Sequence, residues 1–440
     1  VAAPPEGLEA WLAGLLERRG LPGIAVAVTD RDRLLSFQSA GWADLGRRRP
    51  IDEGTLFELG SIGKTFTALL VLELAKGGVI DLEAPVRTYL PWFEVRSEYS
   101  PIAVRHLLTH SAGIIRGSDI TADSRFDVWA LRETETGFPP GERYYYSNVG
   151  FRVLGCALEE VTGVPYQDLL RTRVLEPLGL SSSEPAITTE IRDRLAVGYD
   201  RLHDDRPISP DDPLYPAPWF ETGTADGSLA ATAGDLATFV RFLLEEGADS
   251  LVAQPRIDSG DGWSYGYGLE VRTEGGRRLF RHGGSMPGFG STMLGDFDAG
   301  LGVAVLLNGP DEHDVTAAVA SYALELHRGG PNPTPPCDPE ETPPGEDLGG
   351  EPREEWSAFY GRFRSYNPWL PGFRIVQRGD DLVLAYPWGG PEDPLTPLGE
   401  VDFRVGDERS PERLRFDAVV DGRALRANLS GADYYRSDFE

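Results

Sequence analysis

In the stretch LFELGSIGKTFTALLVLELAKGG, Ser61 precedes an apolar run with helical spacing, and Lys64 follows it by three residues. That spacing puts both side chains on one helical face. A serine near a helix start with an amine beside it can act as a nucleophile. A neutral lysine can accept its proton, and backbone N–H groups can stabilise the oxyanion that forms. Lysine suits this because its pKa moves readily with burial and nearby cations, whereas arginine stays charged. The plain alternative is an N-cap serine followed by a surface lysine. Taken alone, Ser-x-x-Lys does not decide between them.

A second stretch, FPPGERYYYSNVGFRVLG, sets Tyr146 two residues before Asn148 at the start of another apolar helix. The phenol could carry a proton to a leaving group, and the amide could bind a substrate carbonyl. Tyr144 and Tyr145 read as packing residues. In the third, FRHGGSMPGFGS, His282 is followed by Gly283 and Gly284, with the motif expected between two strands. Glycines there permit close backbone approach to a ligand, and the Ser285 N–H could complete an oxyanion hole.

Four decoys are weaker. GSIGKT ends like a phosphate-binding loop, but Glu58 stands where the first glycine is needed. His106 and His110 have the i, i+4 spacing of zinc ligands on a helix, but Leu107 occupies the place of the glutamate in that motif. Cys156 lies between Gly155 and Ala157 in an apolar run, as a core residue would. The G-x-S-x-G elbow is absent at Ser61 and at Ser285.

In their order, SIGK, YSN and HGG resemble the class C beta-lactamase and D-alanyl-D-alanine peptidase family of serine hydrolases. That family also includes esterases and D-amino-acid-specific peptidases. IAVRHLLTHSAGI, VTGVPYQDLLRTRVLEPLGL, GSLAATAGDLATFVRFLL and YGYGLEV extend the resemblance across about residues 6–326. It implies that Ser61 is acylated, that Lys64 and Tyr146 share the base and acid roles, and that Asn148, His282, Gly284 and Ser285 bind substrate. It calls for no metal and no cofactor. His282 stands where many members have lysine, which argues against strong beta-lactamase activity. The expected substrates are small amides or esters, foremost short peptides, some with D-residues. A carboxylesterase and a non-catalytic binder of the same fold are the alternatives.

These residues need a scaffold, and the hydrophobic pattern supplies one. Residues 6–19 read as a helix. PGIAVAVTD and RLLSFQSAGWAD read as strands around an Asp30-Arg31-Asp32 turn. From about 60 to 250 the pattern is mostly helical. Strand-like runs return at 265–272, 277–282, 289–297 and 301–308, before a helix at about 312–327. An α+β fold follows, with one antiparallel sheet built from both ends of the segment, flanked by helices and carrying an inserted helical subdomain. The resemblance implies the same arrangement, with the site between sheet and helices. Residues 328–352 are rich in proline and acid and read as a linker. The remaining 353–440 read as successive hairpins of a small all-β barrel, similar to the lipocalin-like C-terminal domains of some peptidase members. The hydrolase segment is thus 1–327.

The formal net charge of −28 argues against a nucleic-acid partner. No run of about 18 apolar residues suggests a membrane span. Residues 1–5 do not read as a secretion signal, which favours the cytoplasm slightly over export with a signal removed. A small molecule or short peptide is the expected partner, and a homo-oligomer is left open. Among the chain's 42 basic residues, only Lys64 and Lys76 are lysines.

Overall fold

The computed structural model describes residues 8–117, 122–203, 209–311, 315–329, 353–367, 369–386 and 391–437. At its centre is an antiparallel sheet of nine strands among the described residues. In space they run Arg49–Pro50, Leu34–Asp44, Gly23–Asp30, Leu301–Leu307, Phe289–Asp296, Arg277–Met286, Glu270–Glu274, Trp263–Tyr265 and Ile257–Gly260. The early strand GIAVAVTD therefore pairs directly with the late strand LGVAVLL, with Val26 opposite Val305.

The alternation within these two strands explains why helices cover both faces of the sheet. Ile24, Val26 and Val28, with Val303, Val305 and Leu307, pack against the helices Leu8–Arg19 and Val315–His327. On the opposite face Ala25, Ala27 and Ala304 present small side chains to the helix Ala233–Glu246, whose Leu236, Phe239 and Val240 are fully buried. Each fully buried large aliphatic side chain contributes about 1.5–3 kcal/mol.

Between Asp44 and Ile257 the chain forms the helical region, including helices Gly63–Lys76, Ser124–Ala130 and Asn148–Thr162. The last starts on Ser147, whose Oγ accepts the Gly150 N–H, and ends on left-handed Gly163. The segment Gly283–Ser285 does not lie between strands as expected. It lies inside the strand Arg277–Met286, and only Pro287–Gly288 turns. Of the two glycines there, Gly284 serves close contact rather than chain reversal.

The C-terminal strands close into an eight-stranded antiparallel barrel, with Phe363 on the first opposite Arg436 on the last. Phe363, Phe373, Phe403 and Phe416 fill it. Two of its strands, Asp393–Pro397 and Ala432–Arg436, were not anticipated; the prolines of DPLTP mask the first. The expected linker lies outside the described residues from 330 to 352, as does Cys337.

Candidate active site

Ser61 occupies a single 3₁₀ turn, Gly60–Ile62, that runs straight into the helix Gly63–Lys76. Lys64, one turn on, is completely buried. Its Nζ donates to Ser61 Oγ at 3.0 Å and to the carbonyl oxygen of Asp226 at 2.5 Å. Asp226 is itself fixed, because Arg152 Nε donates to its Oδ1 at 3.1 Å while Arg152 Nη1 pairs with Asp127. All three members of this ion cluster are more than nine-tenths buried. Removing one partner from such a cluster costs about 3–5 kcal/mol, since it strands a buried charge. The amine that faces Ser61 is therefore located by a backbone carbonyl that a core ion cluster holds still.

Tyr146 approaches from the other side. Its hydroxyl donates to Ser61 Oγ at 2.6 Å, and its ring lies 5.0 Å from Lys64 Nζ. Ser61 Oγ is thus bracketed by the lysine amine and the tyrosine phenol. Asn148 opens the helix Asn148–Thr162 and is half-buried; its N–H donates to the Arg116 carbonyl oxygen at 2.7 Å. It is not among the residues that line the cleft beside Ser61.

The strand Arg277–Met286 passes close to Ser61, and glycine makes this approach feasible. A Cβ at Gly284 would stand 2.0 Å from the Leu59 carbonyl oxygen and 3.0 Å from the Ser61 nitrogen. Gly60 has φ +53°, and a Cβ there would stand 2.7 Å from the Ser285 nitrogen. The backbones at Ser61 and Ser285 are consequently side by side. His282 is buried, with Nδ1 2.7 Å from the Gly283 carbonyl and Nε2 2.9 Å from the Tyr265 hydroxyl. A carbonyl only accepts, so the proton sits on Nδ1 and Nε2 accepts from Tyr265. Burial pushes its pKa down to about 4, so His282 brings no positive charge to the site.

Around these residues is a cleft of about 500 Å³. Ser61, Tyr146, His282, Gly284 and Ser285 line it, as do Tyr144, Tyr265, Glu270, Arg281 and Asp311. Tyr144 was read only as packing, yet it forms part of the wall. Glu270 and Arg281 form an ion pair at 2.6 Å. Asp226, Arg152 and Asp127 were not singled out, since Lys64's partner is a main-chain oxygen and no residue type announces that. The other candidates fall elsewhere. His106 lies in the short helix Val104–Leu108, while His110 follows it with φ +52°, so they do not share a helical face. Cys156 is buried in the helix Asn148–Thr162, where desolvation pushes its thiol up to about 12. Among the described residues no group of three or more histidine, cysteine or carboxylate side chains gathers to hold a metal ion, and no helix is long and apolar enough to cross a membrane.

The family model described as Beta-lactamase matches residues 8–327. The chain belongs to this family of serine hydrolases. It is 26% identical over 353 residues to penicillin-binding protein 4* of Bacillus subtilis, covering 74% of this chain and 77% of that one. A D-aminopeptidase of Cereibacter sphaeroides is 28% identical over 324 residues, 70% of this chain but only 59% of that enzyme. Among solved structures, the octameric penicillin-binding protein homologue from Pyrococcus abyssi superposes with a TM-score of 0.65 at 25% identity. That match covers 98% of this chain and 99% of the other, so it includes the barrel.

Proposed function

We propose that this hydrolase acylates Ser61 and transfers the acyl group to water, acting on small amides or esters and foremost on short peptides, including peptides with D-residues. The observation that carries the reading is the pair of contacts on Ser61 Oγ, 3.0 Å to Lys64 Nζ and 2.6 Å to Tyr146 OH. Ser61 Oγ attacks the substrate carbonyl carbon, and its proton leaves along one of these contacts to an unprotonated Lys64 or Tyr146. The Ser61 and Ser285 N–H groups receive the developing oxyanion. When the C–N or C–O bond breaks, Tyr146 returns a proton to the leaving group, and an ester on Ser61 remains. Water then attacks that ester and gives a proton to the same pair; the pair returns it to Ser61 Oγ as the ester C–O bond breaks, which releases the carboxylic acid and free Ser61. The D-aminopeptidase relative and the cleft volume support a short peptide. The neutral His282 supports weak activity on β-lactams, whose carboxylate finds no added cation there. The barrel as a second domain beyond a linker, and a homo-oligomer like the octameric relative, are part of the same proposal; light scattering tests the latter.

The direct test is a fluorophosphonate probe read by intact mass. One equivalent should add to the protein and map to Ser61. Ser61→Ala should abolish labelling and lower ester turnover on the order of 10⁶-fold. Labelling that persists at Ser111 or Ser285, or no labelling of the parent, would rule the reading out.

A further inference from the structure

Tyr146 can serve only if its phenol stays on Ser61, yet it sits on a loop just before a helix. One residue grips that loop at three consecutive positions. The carbonyl oxygen of His110 accepts the Tyr145 N–H at 2.7 Å. Its ring Nδ1 accepts the Ser147 N–H at 3.0 Å. Between these two bonds, the imidazole lies against the Tyr146 ring, centroids 4.2 Å apart. The left-handed backbone of His110, φ +52°, is a conformation that non-glycine residues seldom adopt and that needs support from its surroundings.

We propose that His110 is the positioning residue of this site, a fixed neutral imidazole that sets the height and tilt of the Tyr146 phenol over Ser61. The proposal rests on the reading of Tyr146 as a proton carrier. An Nδ1 that accepts from a backbone N–H leaves the proton of the neutral ring on Nε2. Among the described residues that buried Nε2 has no hydrogen-bond partner, and the polar bond the ring makes goes to the Tyr146 loop. Burial, first of all, holds the imidazole well below its ordinary pKa. It therefore stays uncharged beside Lys64 instead of competing for a proton. Leaving a polar ring nitrogen unsatisfied in a core costs stability, and an apolar residue would pack there without that cost.

Two substitutions separate the ring from the acceptor. In His110→Asn the Oδ1 takes the position of Nδ1, and asparagine tolerates the left-handed backbone. In His110→Leu both acceptor and ring are lost. The reactions compared are hydrolysis of a methyl ester, whose alkoxide needs a proton to leave, and of the p-nitrophenyl ester of the same acid, whose leaving group does not. His110→Leu should lower kcat on the methyl ester about 30- to 100-fold, as a misplaced catalytic group does, and change KM and the p-nitrophenyl ester rate less than about threefold. His110→Asn should restore about tenfold of that loss. In a Tyr146→Phe background His110→Leu should cost less than about twofold, because nothing remains to position. An equal cost in both backgrounds overturns the proposal and leaves the role of Tyr146 intact. If Tyr146→Phe itself costs nothing, the functional reading fails instead, and the proposal with it. Should His110→Leu not fold, the same cycle is run with His110→Asn. In addition, ¹⁵N spectra of histidine-labelled wild-type protein should show His110 unprotonated at Nδ1 and protonated at Nε2 from about pH 6 to 9; a proton on Nδ1 overturns the proposal.

Discussion

The two sides of the candidate site are held in different ways. The Ser61 side belongs to the core of the family domain. Lys64, Thr65 and Thr67 are completely buried, and the hydroxyls of Thr65 and Thr67 donate to the Gly268 and Ala225 carbonyl oxygens at 2.5 and 2.6 Å. Backbones touch where Gly63 meets Gly227 and Gly60 meets Ser285. The Tyr146 side is a loop, and much of its outer support comes from the barrel. Asp407, Arg409 and Arg413 pair with Arg143, Glu142 and Glu135. Glu412 Oε1 accepts the Arg116 N–H at 2.6 Å, and Arg116 in turn accepts from Asn148. A Cβ on Gly137 would stand 2.2 Å from the Arg409 carbonyl oxygen. The ion pairs are part-exposed and each contributes only about 0–1 kcal/mol, so the barrel acts through the sum of these contacts and their fit. A chain built this way holds Ser61 through its core while contacts from the barrel bear on the loop that carries Tyr146.

Short of removing Ser61 itself, the strongest way to break the Ser61 side is Lys64→Arg. Arginine keeps a cation but cannot deprotonate in the working pH range, and its fork does not match a site built for one amine between Ser61 Oγ and the Asp226 carbonyl. Acylation by a p-nitrophenyl ester should slow at least about a hundredfold, the lower end of what a general base contributes. Stopped-flow measurement on a variant with parental circular dichroism reads this. An unchanged rate would make Lys64 a structural cation and remove the base from the mechanism.

Removing the barrel should do less, and should do it unevenly. A chain ending at residue 329 retains the contacts among Ser61, Lys64, Tyr146, Asp226 and Arg152 described above, but loses those to Arg116, Glu135, Glu142 and Arg143. It should still take up the fluorophosphonate at Ser61, within about threefold of the parental rate. Hydrolysis of substrates with poor leaving groups should fall about tenfold, part of what a general acid supplies. An equal fall for good and poor leaving groups would mean that the barrel supports the whole domain and not the Tyr146 loop. Loss of the circular dichroism spectrum would end the description of two separable units.

What the sequence could show about these two sides follows from the range of the interactions. Ser61 and Lys64 are one helical turn apart, so their meeting is local and visible in the spacing. The sheet built from both ends was visible because GIAVAVTD and LGVAVLL each carry the apolar run of a strand buried on both faces. Gly283–Ser285 was placed between two strands because paired glycines usually mark a turn; here the strand continues through them, and Gly284 lets it reach Leu59 and Ser61. Arg152 lies in an apolar helix, and its partners are 25 and 74 residues away in the chain, so only the fold shows it as a hub. The grip of His110 on residues 145–147 escaped for the same reason, compounded by a left-handed backbone that helical spacing could not suggest. The docking of the barrel beside Tyr146 leaves no local trace at all.

The smallest expected effect belongs to the other lysine. Lys76 is exposed at the C-terminal end of the Ser61 helix, where Gly77 caps the chain and its N–H donates to the Glu73 carbonyl oxygen at 3.0 Å. A cation there offsets the negative end of the helix dipole, worth about 0.3–1 kcal/mol at an exposed site, and arginine supplies the same charge. Arginine is also as good a helix former as lysine. Lys76→Arg should therefore leave the acylation rate within about twofold and the unfolding free energy within about 0.5 kcal/mol of the parent, the range of ordinary surface changes. The two variants make the same chemical change on one helix, three turns apart, one at a buried position and one at an exposed one. If Lys76→Arg slowed acylation as much as Lys64→Arg, both effects would stem from damage to the helix. A deficit confined to position 64 ties it to the one amine that touches Ser61.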